Sequence, residues 1–583
     1  MIRSARAPRP TRESGHLVAT ESGVVRKDHR GRLGVVLAYP NTYFVGMSNL
    51  GVNVMYHLFN SCEDIVCERA FLPDEAASRP PLRTVESGCP VGGFQILAFS
   101  ISFENDYLNV LRMLEYARLA LRSRDRTAKD PLVVAGGAAV TMNPEPLAEI
   151  IDAFVIGEGE TAAPPVLERL LAAWRDGTRR EDLLAELASL PGVYVPSLYR
   201  ARWQVDGAFA GLEPTGGAPA DIAEPPQHDI RREPAHTRVY SPHTEFGDRF
   251  LLEVSRGCRS RCKFCMITYV TQSYRSVDLE VARSLCDGAI ATGHEIGLIG
   301  AALTDYPHVE ELTTHIVARG GRFSMSSVPF HRVSEQLAAN LAAAGHRSVT
   351  LAPESGSERI RRRVVGKAGS NEDLVRAAVM LLGAGLSDLK LYLIVGNPTE
   401  TEEEVIAIGD LVEEINARAR AAHGRTPRRI TCSASTFVPK PHTPFQFAGQ
   451  IPVPLARRRL RALTARLRSI PNVRLNTDYP KWAYVQALLS RGDRKVGDIL
   501  IAAHQAGGDW ARALRGIAAQ TDWYVVRARL RNEVTPWDHI AGAASEKERL
   551  WRSYQTMLDR AAEEGVRDRV PIPNAEAERV VLT

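Results

Sequence analysis

From Leu33 onward the chain alternates short apolar runs with longer segments of helical period. The first runs are residues 35–38, 96–100, 132–135 and 153–156, with a helical stretch from Tyr107 to Leu121 between the second and third. Each is apolar at nearly every position rather than at every second one, which marks strands covered on both faces. An α/β unit built on a doubly wound parallel sheet is therefore expected over residues 33–195. Residues 196–247 are rich in Pro, Gly and Ala, including Pro225-Pro226, and read as a linker with little core that holds a short hairpin at residues 199–205. Strand and helix patterns then resume at residues 250–254, 295–299, 323–326, 348–351, 389–394 and 431–437. About six such strands suit a partial (β/α)6 barrel over residues 248–450, with ligands gathered at the strand carboxyl ends. Further on, Leu460, Leu463, Leu467 and Ile470 form one apolar stripe with arginines elsewhere, so residues 451–583 are expected to be mostly helical. Residues 1–32 are rich in Arg, Pro and Ser without periodicity and read as a basic extension over the surface.

Composition narrows this picture modestly. A chain of 583 residues is too long for one core. Its 44% hydrophobic and 24% charged residues are those of an ordinary globular protein. No apolar stretch reaches spanning length and no signal-peptide pattern opens the chain, so a cytoplasmic location without a membrane partner is expected. Basic residues of the extension, among them Arg26, Lys27 and Arg32, could touch a polyanion, but a net charge of +5 lends nucleic acid no support. Eight cysteines are too few for a disulfide framework and imply reduced thiols. Five of them, Cys62, Cys67, Cys89, Cys286 and Cys432, read as small packed side chains.

Ligands of doubly wound sheets sit beyond the carboxyl ends of the strands. After the first run come Tyr43 and Gly46, after the second Ser102, after the third Gly136-Gly137, and after the fourth Gly157-Glu158-Gly159. Glycines there let backbone approach a large ligand, and hydroxyls can bond it; the same residues also suit plain helix-entry turns. In the second half, Gly300-Ala301, Glu354-Ser355 and Ile394 with Gly396 occupy corresponding ends. Asp305 reads as a helix cap, and Glu354-Ser355 can equally open the following helix as a capping box. The proline-rich loop from Val438 to Gln446 holds Lys440 and His442 in a fixed, extended shape.

Three cysteines, Cys258, Cys262 and Cys265, follow the first barrel strand in a C-x3-C-x2-C pattern. Three thiolates can hold three corners of a cubane iron-sulfur cluster and leave one iron open. A structural zinc loop is the competing reading, but closed zinc sites take four protein ligands and no Cys or His pair stands at finger-like spacing. With Phe264 before the third cysteine and the strand entering Gly257, the motif resembles the radical S-adenosylmethionine superfamily. That resemblance implies a 4Fe-4S cluster on Cys258, Cys262 and Cys265 whose open iron chelates S-adenosylmethionine, and one-electron cleavage to a 5'-deoxyadenosyl radical. It further implies that Phe264, Gly300, Ala301, Glu354, Ser355, Ile394 and Gly396 contact S-adenosylmethionine, Ile394 against the adenine. The acidic residue usual beside Gly300-Ala301 is absent.

The first unit as a whole is similar to the cobalamin-binding domain that precedes the barrel in cobalamin-dependent members of the superfamily. This implies cobalamin at Tyr43, Gly46, Ser102, Gly136, Gly137, Gly157, Glu158 and Gly159, or else a relic domain with an empty site. The Asp-x-His-x-x-Gly motif that supplies a histidine to cobalt is missing, so no histidine ligand is expected. Methylation of an unactivated carbon is the activity implied, with a reductant such as flavodoxin or ferredoxin as partner. The alternatives are a methylthiotransferase acting on tRNA or protein, which would carry a second N-terminal cluster, and a non-catalytic cobalamin or redox sensor.

Overall fold

The computed structural model describes residues 17, 19–73, 81–271, 273–540 and 543–566. Its first sheet has six strands: β1 (Leu33–Tyr39), β2 (Ile65–Phe71), β3 (Ile96–Ser100), β4 (Leu132–Gly136), β5 (Ala153–Val155) and β6 (Val193–Tyr194). They lie in the order β2-β1-β3-β4-β5-β6, parallel except for β6. Every residue of β1 is buried, as its unbroken apolar run requires. Alternate side chains feed two cores: Val35, Leu37 and Ala98 meet the helices Leu50–Ser61 and Gly159–Asp176, and Val36, Leu97 and Val133 meet the helix Tyr107–Tyr116.

Strand β2 was not foreseen, because Glu68 and Arg69 break its apolar run. Both are buried all the same. Arg69 pairs with Glu21 at 2.7 Å and with Glu86 at 2.6 Å, so its charge enters the core already neutralised. Glu21 belongs to the N-terminal stretch expected over the surface, and Lys27 of that stretch donates to the carbonyls of Asn60, Cys62 and Ile65. That lysine caps a helix end instead of facing a polyanion; Arg3, Arg6, Arg9 and Arg12 lie outside the described residues.

The segment expected to be a linker carries the hairpin β7 (Tyr199–Trp203) and β8 (Phe209–Pro214), and it buries Ile222, Ile230 and Val239. It therefore has more core than its composition suggested: Asn53 Oδ1 accepts from the Val239 amide at 2.8 Å, fastening the segment to the first unit. Next come β9 (Phe250–Glu253), β10 (Ser255–Arg256), β11 (Arg275–Ser276), β12 (Ile296–Ile299) and β13 (Phe323–Met325), then β14 (Ser348–Glu354), β15 (Asp388–Val395), β16 (Arg429–Thr436) and β17 (Val473–Thr477). Two parallel sheets, β13-β12-β9 and β14-β15-β16-β17, meet through the Val328–Leu351 bridge as an open barrel. All six expected barrel strands are present, and β17 adds a seventh from the region expected to be mostly helical.

That last region does not form a separate unit. Val485, Leu488, Val496 and Leu500 complete a core of the first sheet, while the helix Ala543–Glu563 lays Leu550, Tyr554 and Met557 on the cysteine loop. No helix among the described residues is long and apolar enough to cross a membrane.

Candidate functional site

The cysteine loop leaves β10 at Gly257 and is clamped from both sides. The Lys263 amide donates to the Val365 carbonyl at 2.8 Å, and the Lys263 carbonyl accepts from the Phe445 amide at 3.1 Å. Cys262 is buried with Val364, Phe437, Phe445 and Phe447, and Phe264, Cys265, Tyr269 and Ile394 pack at the edge of this cluster. Burial pushes the Cys262 thiol up to about 12, and its charge is further opposed by Cys265 and Cys258 while Lys367 favours it. The three thiols thus stand close enough to repel one another as thiolates. Only a centre of higher positive charge makes them ionise together, which is what an iron-sulfur cluster provides. Among the described residues no three His, Cys, Asp or Glu side chains converge on a single ion. A cubane spreads its thiolates over separate irons, whereas a closed zinc site gathers four protein ligands on one ion.

Around the loop the barrel ends bring polar groups close. Asp305, expected as a helix cap, is buried; its Oδ2 accepts from the Arg259 amide at 3.2 Å and lies 4.0 Å from Cys258 Sγ, and its Oδ1 pairs with Arg332 at 2.9 Å. Gly300 packs on Ser255 and Leu303, and Ala301 is exposed. Glu354 ends β14 at φ +62 and pairs with Lys367 at 2.5 Å. A non-glycine residue held in the left-handed region stores strain that the surrounding fold must sustain, as functional sites often do. Ser355 Oγ accepts from the Ser357 amide at 3.1 Å in a local turn, and the following helix Arg359–Val365 starts after Glu358 with no side-chain cap, so the expected capping box does not form. Gly396 sits at φ +96 where a Cβ would strike Ile451 at 2.5 Å, so the close approach it permits is to the protein itself. The hydroxyl of Thr436, buried at the end of β16, has no hydrogen-bond partner among the described residues and is free for a ligand.

At the carboxyl ends of the first sheet lies a cavity of about 350 Å3 lined mainly by apolar groups, Leu37, Val54, Met55 and Phe99 among them. Ser102, Gly136, Gly137, Gly157 and Gly159 line it as well. Three expected residues, Tyr43, Gly46 and Glu158, do not. Tyr43 is turned into the core, its hydroxyl between Glu21 and Ser241, and Gly46 abuts the Phe71 ring. Their turn starts a short helix that folds back on β2, a pairing invisible while β2 itself was unrecognised. Glu158 also departs from its expected role. It pairs with Arg275, and with Arg256 at 3.3 Å.

Gly157 belongs to a second, larger cleft of about 960 Å3 between the sheet ends and the cysteine loop, lined by Cys258, Arg259, Tyr269, Tyr274 and His442. Arg256, which also donates to Glu253 and Glu160 at 2.7 Å each, ties the two units beside it. Lys440 reaches Glu104 at 2.5 Å and is not free for a substrate. His442 donates Nε2–H to the Met142 carbonyl at 3.0 Å, and burial lowers its pKa to about 4. A depressed histidine contributes stability that is present above its unfolded pKa near 6.5 and is lost as pH falls through the folded value. Stability should accordingly decline by up to about 3 kcal/mol between pH 6.5 and 4 at this residue. Denaturation midpoints for His442→Gln should show a flatter decline over that window.

Arg256, Arg275, Lys367 and Tyr274 were missed in the sequence. Lone basic residues and tyrosines carry no spacing signal, although Arg256 stands two positions before Cys258.

Two family models match the chain: radical SAM proteins, N-terminal, over residues 51–196, and the radical SAM superfamily over residues 252–412. Together they span just over half of the 583 residues. An uncharacterised protein of Methanocaldococcus jannaschii is 26% identical over 417 residues, 71% of this chain and 79% of that one. The cytidylyl-2-hydroxyethylphosphonate methyltransferase of Streptomyces wedmorensis is 24% identical over 58% of this chain and 65% of its own length. Among solved structures, the radical S-adenosylmethionine methyltransferase TsrM of Kitasatospora setae, with cobalamin and a 4Fe-4S cluster bound, shares 16% identity at a TM-score of 0.49, covering 82% of this chain and all of that one. With the three-cysteine loop at the mouth of an open parallel barrel and both models matched in order, the chain belongs to the radical S-adenosylmethionine superfamily.

Proposed function

We propose that this radical S-adenosylmethionine enzyme methylates an unactivated carbon, with cobalamin held by the first sheet. The observation that carries the reading is the abutment of two cavities at Gly157, one at the sheet ends and one reaching Cys258. When bound, the cluster supplies the electron that cleaves S-adenosylmethionine, and cobalamin supplies a methyl carrier. Cys258, Cys262 and Cys265 would hold the cluster. Glu354 and the Thr436 hydroxyl, at the ends of β14 and β16 on either side of β15, offer acceptors for the ammonium and ribose hydroxyls of S-adenosylmethionine.

The apolar cavity suits a planar aromatic part of cobalamin, and the cleft leaves room for the rest together with a substrate. Among the described residues no histidine lines the cavity. The methyltransferase activity named for the Streptomyces relative agrees with this reading. A one-electron donor of the flavodoxin or ferredoxin kind completes the system. The methylthiotransferase alternative needs a second cluster, and here Cys67 and Cys89 pack on different cores of the first unit.

Cobalamin uptake tests the proposal. Reconstituted protein should bind about one hydroxocobalamin per chain, read from its visible absorbance after desalting. Ala98→Trp, which places a large ring in the cavity wall, should abolish uptake at an overpacking cost of about 1–3 kcal/mol, with iron content unchanged. Wild-type protein that binds no cobalamin would end this reading.

A further inference from the structure

We propose that the cleft takes a small-molecule substrate bearing a phosphate or phosphonate group, gripped by Arg259 and Arg261; this rests on the cleft being the reaction site. The charged side chains lining it are Arg259, Arg261 and Arg549 against Glu158, Glu224 and Glu546. Glu158 is neutralised by Arg275 and Arg256, Glu546 by Arg549, and Glu224 also has a partner. The nearby Asp305 is spent on Arg332 and on the Arg259 backbone amide. Among the described residues neither the Arg259 nor the Arg261 guanidinium has a carboxylate partner, so the cleft keeps an uncompensated positive charge beside Cys258.

The donors in the cleft point the same way. Thr268 gives its hydroxyl proton to the Ser260 carbonyl, Thr271 to Ile267 and Ser273 to Gln227. These three hydroxyl protons are used within the protein, while the guanidinium N–H groups of Arg259 and Arg261 are among the donors left for a ligand. Arg259 lies over the Tyr274 ring at 4.4 Å, and stacking on a ring face leaves the donor edges directed outward. One guanidinium satisfies a carboxylate, whereas two forks at alternate positions of one loop match the three oxygens and double charge of a phosphoryl group. A volume of about 960 Å3 is that of a small-molecule site, too small for a folded polymer.

Equilibrium dialysis of the iron-reconstituted protein with phenylphosphonate as probe, at low salt, tests this. Saturable binding is expected, weakened at least tenfold in Arg259→Gln/Arg261→Gln compared at equal iron content, and unaltered in Arg468→Gln on a remote helix. Should the double variant fail to hold iron, Arg261→Lys, which keeps the charge but loses the fork, should weaken binding about threefold. Equal affinity in the arginine variants overturns the proposal. So does benzoate binding as tightly as phenylphosphonate, or a single-stranded RNA oligomer outcompeting it. Phosphonate binding that persists in a protein unable to take up cobalamin would sink the methyltransferase reading and leave this one standing.

Discussion

Replacing Cys262 with alanine should reduce iron from about four atoms per chain to below one and stop 5'-deoxyadenosine formation under dithionite. Of the three loop cysteines this one is the most enclosed, 6% exposed and walled by Phe437, Phe445 and Phe447. Two remaining thiolates cannot hold three corners of a cubane. The fold should survive, because deleting one sulfur from a packed shell costs only about 1–2 kcal/mol, and far-ultraviolet circular dichroism would verify it. Cys432→Ala makes the contrast: that thiol is buried in the barrel core away from the loop, and its loss should leave iron content untouched. Undiminished iron and cleavage in Cys262→Ala would remove the cysteine loop from the chemistry.

The second large effect is expected at Arg256. Its guanidinium meets Glu253 and Glu160 at 2.7 Å and Glu158 at 3.3 Å, with its side chain only 13% exposed. Burial alone would lower its pKa, and the carboxylates more than reverse that, so it stays charged. Arg256→Met would leave Glu160 and Glu253 without this partner at the seam between sheet and barrel, and Glu158 with only Arg275. Stranding buried carboxylates costs about 3–5 kcal/mol, far more than the pairing itself contributes. Urea denaturation should show that loss. Adding Glu160→Gln to Arg256→Met should recover about 1–2 kcal/mol, because one unpaired charge is removed. A variant as stable as wild type would mean that the seam is held by other contacts.

The parts of this protein legible in its sequence are those where one local physical rule suffices. Fully apolar runs specified β1, β3, β4 and β5 because a strand buried on both faces tolerates little else. Cysteine spacing specified the cluster loop because three ligands on a short loop must reach one cluster. Strand β2 escaped notice since Arg69 is compensated by Glu21 and Glu86 and Glu68 is held by His29, all of them outside the strand. Gly46 and Gly396 looked like ligand-approach glycines, yet each makes room for a side chain, Phe71 and Ile451 respectively, that no local pattern reveals.

The sequence by itself determined the strand succession and the three thiols, since hydrophobic period and ligand spacing act over a few residues. Only the tertiary structure decided that Asp305 reaches Cys258, that Lys367 neutralises Glu354, and that Arg256 closes the seam where two cavities meet. Those contacts depend on charges buried together, and the cost of burying each one is met by a partner whose position is set by the whole chain.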